Sequence, residues 1–430
     1  MNAVIIIIMV LFFMAIRIPV VFSLLLSSTF YLIFLSDVPM IILAHRMVGA
    51  VESFPLIALP LFILAAEFMN RGTITSKIFQ FASQCMGHFQ GSLGHVNVFA
   101  SMIFAGMSGS EVADVAGLGK VEVAAMKERG YDAEFSAAVT GASSIVGPII
   151  PPSVLMIIYG SIAEQSVGRL FLGGAIPGII IGLSLMVVIY FISKKRNYSK
   201  SPFPGWLMVF KSFLDALPTL MIPVIIMGGI ITGVFTPTES AVVAVVYSFI
   251  LTFVVYRDLK LKEVIPILFE VTLSTGFAVI IIGGAAVFGW MITQENIPIA
   301  IRDFILSLTQ NKWMVLLILN VILLAAGCFF AVMSILIIMT PMIIPLAQSF
   351  GIDLIHLGVM MVLNLCIGFL SPPFGIGLYV LSDITNLSIE KLSRAMIPFF
   401  IPILFVLFLV TYFPSISMWL PNLLMGVVKF

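Results

Sequence analysis

Charged side chains are scarce in this sequence. Asp, Glu, Lys and Arg together make up 10% of its 430 residues, whereas hydrophobic residues make up 61% and the mean hydropathy is +1.21. Soluble domains carry about 25% charged residues. The near-neutral net charge of +1, with no basic cluster among aromatic residues, also argues against a nucleic-acid partner. The composition therefore predicts an all-α polytopic membrane protein whose surroundings are the lipid bilayer.

Side chains suited to metal binding or catalysis are few and scattered. The three cysteines and four histidines show neither metal-ligand nor disulfide spacing, so we expect the cysteines to be small packing residues. The chain has no phosphate-binding glycine-rich loop, which argues against transport driven by ATP. Paired aspartates and metal-spaced histidines are missing from the span centres, which argues against an intramembrane enzyme. We therefore expect no catalytic residue, no organic cofactor and no metal ion other than a transported one.

Adjacent prolines and a glycine interrupt two long apolar runs. The first interruption is Gly147-Pro148-Ile149-Ile150-Pro151-Pro152-Ser153, and the second is Gly368-Phe369-Leu370-Ser371-Pro372-Pro373. Proline removes an amide donor and clashes with the preceding turn, so nearby carbonyls lose their helical partners. In hydrocarbon such orphans cost several kcal/mol each, so the breaks must be buried in protein or line a polar cavity. We predict broken spans over 133–163 and 355–382; kinks in purely structural helices are the alternative.

The two breaks are related by a constant offset. The same 221-residue separation pairs Gly106 with Gly327, Asp132 with Asp353, Gly147 with Gly368, Pro151 with Pro372 and Pro152 with Pro373. This regularity indicates an internal duplication. Interrupted apolar segments at corresponding places in two halves point to the binding site of a secondary transporter.

An earlier apolar stretch is too short to cross the membrane twice. Residues 96–119 are interrupted by Ser108-Gly109-Ser110 and then by Glu111 and Asp114. Crossing needs about 20 apolar residues, so we predict a re-entrant hairpin with its tip at this interruption. The two carboxylates either cap the returning helix or take part in transport, since intramembrane acids are functional candidates. The second copy is a hairpin near 313–350 whose tip follows Gly327.

The chain divides into two repeats joined by a basic linker. We predict a first repeat over 1–195, a cytoplasmic linker over 196–211 and a second repeat over 212–430, with about ten crossing helices in all. Two short spans meet near Arg17, and 120–132 is expected to be a charged loop. Because each repeat crosses the membrane five times, an odd number, the second repeat has the opposite orientation in the membrane. With the linker inside, only five of the 21 basic residues fall outside, as the positive-inside rule requires: Arg46, Arg169, Arg302, Lys312 and Lys429. Both termini are then periplasmic.

Four motifs resemble the large membrane subunit of the tripartite ATP-independent periplasmic (TRAP) transporters. In chain order they are Ser53-Phe54-Pro55-Leu56-Ile57-Ala58-Leu59-Pro60-Leu61-Phe62, Met107-Ser108-Gly109-Ser110-Glu111-Val112-Ala113-Asp114, the first proline break and Thr236-Pro237-Thr238-Glu239-Ser240. The resemblance implies sodium-driven uptake of an organic acid across the bacterial inner membrane. It also implies a soluble periplasmic binding protein and a separate small four-helix membrane subunit as partners. Sialic-acid members are the most similar, with C4-dicarboxylates or sugar acids as other substrates.

The resemblance also implies an elevator mechanism and two sodium sites. A unit holding the hairpins and breaks would move against a scaffold made of 1–36, 213–256 and the last span of each half. The first site would use Ser108, Gly147, Ile150 and Pro152; the second, Gly327, Gly368 and Ser371. The substrate region would comprise Ser110, Asp114, Ser153, Pro372 and Gly375. Freed carbonyls and hydroxyls supply the hard oxygens that sodium prefers, and half-helix N-termini favour an anion.

Two observations leave the coupling open. The second hairpin has Phe329, Phe330 and Ala331 where the first has Ser-Gly-Ser, so its sodium ligands are less well defined. An ion- or proton-coupled anion antiporter of related architecture is the competing class. Such an antiporter favours a titrating acid inside the breaks, and neither break contains one.

Overall fold

The described part of the chain is built from helices. The computed structural model describes residues 2–16, 18–71, 73–198 and 200–427; Arg17 and Lys429, used above for the first turn and the topology, lie outside them. No strand occurs among the described residues, which confirms the all-α prediction. Within these ranges, eight helices are long and apolar enough to cross a membrane: Phe54–Arg71, Val167–Arg196, Trp206–Ile231, Pro237–Val255, Leu261–Gln294, Lys312–Phe329, Val332–Ser349 and Ile389–Tyr412.

Shorter helices precede the first hairpin. They are Asn2–Ala15, Val20–Phe34, Ile41–Val51, the 3-10 turn Phe54–Ile57 leading into Ala58–Arg71, and Ile74–Met86. The last of these, Ile74–Met86, has one buried face. Its Ile74, Ile78 and Ala82 are all fully buried, and their four-residue spacing puts them on one helix face. This face packs on the first helix of the hairpin.

The first hairpin is longer than expected. It consists of Ser92–Ser108 and a returning helix over 111–128, which is π-helical at Asp114–Leu118 and α-helical at Gly119–Glu128. The prediction of a loop from Lys120 was wrong, because the helix continues to Glu128. Glu122, Val123 and Met126 are buried, while Lys120, Lys127 and Glu128 are exposed. This amphipathic pattern allows a charged segment to stay helical at the edge of the protein.

Helices end and restart near the predicted tip of the second hairpin and at both proline breaks. The second hairpin is Lys312–Phe329 and Val332–Ser349. The broken spans are Ala133–Ser144 with Val154–Ile162, and Leu354–Phe369 with Ile376–Thr385. The 221-residue offset recurs in the hairpin boundaries, since Phe329 and Val332 correspond to Ser108 and Glu111. In both breaks the bond between the adjacent prolines is cis.

The remaining helices frame these elements. They are Val167–Arg196, Trp206–Ile231, Pro237–Phe249 with its π-helical continuation Ile250–Val255, the 3-10 turn Leu261–Glu263 leading into Val264–Gln294, then Ile297–Leu308, Ile389–Tyr412 and Ser415–Met425. The connection between the halves is therefore 197–205 rather than 196–211, because the next helix begins at Trp206. Helix Ile297–Leu308 was not predicted.

Two groups of helices can be distinguished by their packing, and they contact each other where Val264–Gln294 meets Val332–Ser349 and where Ala58–Arg71 meets Ser92–Ser108. In the first, Val264–Gln294 packs against Val20–Phe34, Ile41–Val51 and Ala58–Arg71. In the second, hairpin and broken-span helices pack on one another and on the last spans. Val167–Arg196 contacts both Ser92–Ser108 and Leu354–Phe369, and Ile389–Tyr412 contacts Ala133–Ser144. The last spans therefore pack with the hairpins and breaks, contrary to the expectation that they join the scaffold.

Candidate functional site

The first hairpin tip touches the first break through the backbone. Gly109 adopts a left-handed φ of +61°, and its carbonyl accepts a hydrogen bond from the Val154 amide at 3.4 Å. A Cβ at Gly109 would lie 2.4 Å from the carbonyl oxygen of Pro152. On the other side, a Cβ at Gly147 would lie 3.3 Å from the carbonyl oxygen of Ser110. Glycine at both positions lets two non-helical segments approach within van der Waals contact.

This contact leaves a group of oxygen atoms without hydrogen-bond partners. Within the described ranges, no hydrogen bond reaches the carbonyls of residues 147–152. The Ser108 side chain is 4% exposed, and its hydroxyl also has no partner there. An unsatisfied buried polar group is costly unless a water molecule or an ion satisfies it. The predicted set of Ser108, Gly147, Ile150 and Pro152 therefore offers the hard oxygens that sodium requires.

The second hairpin tip touches the second break just as closely. A Cβ at Gly368 would lie 2.6 Å from Cα of Gly327. The Ser371 amide donates to the Gly368 carbonyl at 2.9 Å, and the Ser371 hydroxyl donates to the Ile367 carbonyl at the same distance. The three predicted residues of the second sodium site, Gly327, Gly368 and Ser371, are thus brought into one place.

Cys328 distinguishes the second break from the first. Its thiol lies 3.3 Å from the carbonyl oxygen of Ser371 and 3.1 Å from that of Pro372, so it can donate to either. The thiol thus gives the Ser371 and Pro372 carbonyls a donor, whereas the carbonyls of 147–152 have none among the described residues. Sequence reasoning treated Cys328 as a packing residue. The 221-residue offset pairs it with Met107, next to Ser108, and this position could have identified it.

A cavity of about 240 Å³, the tip cavity, lies between the two hairpin tips. Ser110 and Glu111 line it from the first tip, Val332 lines it from the second, and Val154 and Ile376 line it from the helices that follow the breaks. Both halves of the chain thus contribute to one space. Glu111, which is 7% exposed, is the only ionisable residue that lines it in the described part of the chain.

The other four residues of the predicted substrate region do not line this cavity. Ser153 caps the helix after the first break, and its hydroxyl accepts from the Met156 amide at 3.2 Å. Pro372 and Gly375 belong to the turn of the second break, where the Gly375 amide donates to the Ser371 carbonyl at 3.0 Å.

Asp114 lies in a separate buried polar cluster. Its side chain is 2% exposed and neither carboxylate oxygen has a hydrogen-bond partner among the described residues. It lies beside Ser101 and beside Glu122, which is 1% exposed. The capping role proposed for the acids falls instead to Ser110, whose hydroxyl accepts from the Ala113 amide at 3.4 Å. Glu122 was missed because the expected loop began before it.

Amide and hydroxyl groups continue this cluster away from the acids. The Asn97 amide nitrogen donates to Thr140 at 2.7 Å, and the Ser143 hydroxyl donates to the Asn97 amide oxygen at 2.9 Å. Ser101 donates to Ser143 at 3.1 Å. These hydrogen bonds connect the first helix of the hairpin to the first helix of the broken span, so a buried hydrogen-bond network holds the two elements together.

Comparisons with known proteins agree with this architecture. Residues 7–416 match the family described as "Tripartite ATP-independent periplasmic transporter, DctM component". The chain is 42% identical over 408 residues to the sialic acid TRAP transporter large permease protein SiaM of Vibrio cholerae, covering 95% of this chain and 96% of that protein. It is 39% identical over 380 residues to the C4-dicarboxylate TRAP transporter large permease protein DctM of Pseudomonas aeruginosa, covering 88% and 89% of the two chains.

The fold is also similar to that of a solved transporter with an unrelated sequence. The YdaH transporter of Alcanivorax borkumensis superposes with a TM-score of 0.61 at 13% identity, covering 89% of this chain and 90% of that one. At this identity the likeness concerns the fold alone. The family match spans nearly all of the described residues, both hairpins and both breaks. The chain therefore belongs to the DctM component family of tripartite ATP-independent periplasmic transporters.

Proposed function

We propose that this chain is the permease of a sodium-coupled uptake system for an organic acid. The observation that carries the proposal is the contact between the first hairpin tip and the first break. The two segments that meet there carry the Ser108 hydroxyl and the carbonyls of Gly147, Ile150 and Pro152, none of which has a hydrogen-bond partner among the described residues. Sodium would be held by these oxygens, and by oxygens around Gly327, Gly368 and Ser371 at the second break.

Charge in the tip cavity supports coupling to a cation. Its only charged lining residue is Glu111, a buried acid. No basic side chain lines the cavity among the described residues, so burying the negative charge of an organic acid there costs several kcal/mol unless a cation accompanies the solute. An organic acid would therefore bind well only when sodium is already bound. Transport of the acid without sodium would then be unfavourable.

We infer sialic acid as the favoured substrate and C4-dicarboxylates as the next class. SiaM, named for sialic acid, is 42% identical to this chain, and DctM, named for C4-dicarboxylates, is 39% identical. Because these two identities are close, the substrate has to be tested directly, and a sugar acid is included as a third class. The system would include a separate small four-helix membrane subunit and a soluble periplasmic binding protein, in the bacterial inner membrane with both termini periplasmic.

We further propose movement of the elevator type. Hairpins, broken spans and last spans form one packed group, and helix Val264–Gln294 with the early helices forms another. The small subunit would brace the second group, since a partner on the moving group would have to be dragged through lipid. The last spans would move with the hairpins, because they pack there.

The buried pair Asp114 and Glu122 favours a second candidate, proton coupling. Neither acid forms an ion pair among the described residues, and both are at least 98% buried. An acid in such surroundings can remain neutral by holding a proton, and could release it during transport. This pair lies outside the breaks, which themselves hold no ionisable residue, so sodium coupling remains the first candidate.

The test is uptake in proteoliposomes that hold the chain with its small subunit and receive acids from the binding protein. We expect uptake to require sodium on the outside, to be unaffected by ATP and to depend on both partners. Sialic acid, a C4-dicarboxylate and a sugar acid are compared in the same vesicles. Uptake that persists without sodium and follows an imposed pH gradient would replace sodium coupling with the second candidate.

A further inference from the structure

A second and larger cavity, of about 840 Å³, lies away from the hairpin tips. We call it the Arg46 cavity. One wall comes from helices Ile41–Val51 and Val264–Gln294, and the other comes from Val154–Ile162 and Val332–Ser349. It therefore lies between the two packing groups of the fold. Its polar lining residues are Arg46, Ser53, Ser161, Glu164, Thr293 and Gln294.

The Arg46 cavity and the tip cavity share two helices. In Val154–Ile162, Leu155 lines the tip cavity and Ser161 lines the Arg46 cavity. In Val332–Ser349, Met333 lines the first and Pro341 the second. At 1.5 Å per residue these pairs are about 9 Å and about 12 Å apart along their helices. The proposed topology puts the Arg46 cavity on the periplasmic side of the tip cavity, where a delivered solute arrives.

Of the described residues, Arg46 is the only basic one that lines this cavity. Its guanidinium lies over the ring of Trp290, 5.7 Å from the ring centroid, and forms no ion pair within the described ranges. A guanidinium held on an aromatic face keeps its edge free to bind a carboxylate through two parallel hydrogen bonds. The volume is within the range of cavities that hold small organic ligands.

Hydroxyl groups from both packing groups meet in the same space. The Ser53 and Ser161 hydroxyls are 2.7 Å apart, with Ser53 before Phe54–Arg71 and Ser161 near the end of Val154–Ile162. The cavity thus offers one cationic group together with hydroxyl and amide groups. This combination fits a hydroxylated carboxylic acid better than an apolar or cationic solute.

We propose that the Arg46 cavity is a first binding site for the solute, in which the solute carboxylate pairs with Arg46 before the solute reaches the tip cavity. The proposal rests on the proposed function, because it takes the solute to be an organic acid. Glu164 is the only acid that lines the cavity. It follows the helix that carries Ser161, so it belongs to the opposite wall from Arg46. Glu164 repels the solute carboxylate within the cavity, so replacing Glu164 and replacing Arg46 should have opposite effects on solute binding.

The test measures solute uptake by the complete system in proteoliposomes at fixed sodium. We expect Arg46→Gln to raise the apparent KM for the acid about tenfold, as for the loss of one charge-assisted pair. Arg46→Lys should give a smaller rise, because it keeps the charge but loses the two-bond geometry. Glu164→Gln should lower the KM. The sodium concentration for half-maximal uptake should not change in any of them.

Lys312→Gln is the matched control. Lys312 is expected on the same face, does not line the cavity, and donates to the Gly351 carbonyl at 2.9 Å. Added choline chloride should raise the wild-type KM more than that of Arg46→Gln, since salt screens the attraction. A wild-type KM in Arg46→Gln, or an equal rise in Glu164→Gln, would overturn the proposal. Failure of the proposed function has a different signature, namely a wild-type system that takes up no acid or needs no sodium.

Discussion

Replacing Gly368 with alanine tests whether the second tip must touch the second break. Gly368 lies in helix Leu354–Phe369, where alanine is favourable, so the substitution adds only a methyl group. That methyl would lie 2.6 Å from Cα of Gly327, whereas ordinary contacts begin at 3.4 Å. The tip must therefore move away by about 0.8 Å. Overpacking of this kind costs about 1–3 kcal/mol, which corresponds to about a 5- to 150-fold loss in site affinity.

The measurement is the sodium dependence of uptake in proteoliposomes. We expect the sodium concentration for half-maximal uptake to rise within that range in Gly368→Ala. Gly276→Ala is the control, because Gly276 lies within helix Val264–Gln294 and a Cβ there meets nothing within 4 Å. It should transport normally and gain about 0.5–1 kcal/mol of stability. Wild-type sodium dependence in Gly368→Ala, with normal stability, would refute a role for this contact in binding sodium.

Three further predictions concern the same elements. Ser108→Ala should raise the sodium concentration for half-maximal uptake about tenfold with little change in stability, because the Ser108 hydroxyl has no hydrogen bond to lose among the described residues. Ser371→Ala should raise that concentration less, since its hydroxyl already donates to the Ile367 carbonyl. Wild-type sodium titrations for both variants would mean that the proposed sodium sites are misplaced. Cys328→Ala should lower the sodium requirement, because it frees the Pro372 carbonyl and leaves the Ser371 carbonyl with the Gly375 amide as its only donor among the described residues; an unchanged titration would show that these carbonyls do not bind sodium. In a variant without native cysteines, a cysteine at Val112 should change its reactivity toward membrane-impermeant reagents with sodium and substrate, whereas one at Val234 should not; constant labelling at Val112 would count against an elevator.

The class of the protein and the positions of its irregular segments could be predicted from the sequence. Hydropathy reports directly on the surrounding solvent, and the effect of proline on the backbone is local. The breaks after Ser144 and Phe369 and the tip at Gly109 were therefore predictable within a few residues. The extent of the returning helix to Glu128 was not, because its charged residues hide a buried face that only packing reveals.

The sequence alone determined that carbonyls are freed at both breaks, since proline and glycine force this wherever they stand in an apolar helix. Only the tertiary structure decided what meets those carbonyls. Ser108 is left without a partner at the first break, whereas Cys328 supplies a thiol at the second. It also decided that Glu111 faces the tip cavity while Asp114, three residues later, lies beside Glu122. The partners of an orphaned group come from segments distant in the chain, and their approach depends on how whole helices pack rather than on any local preference.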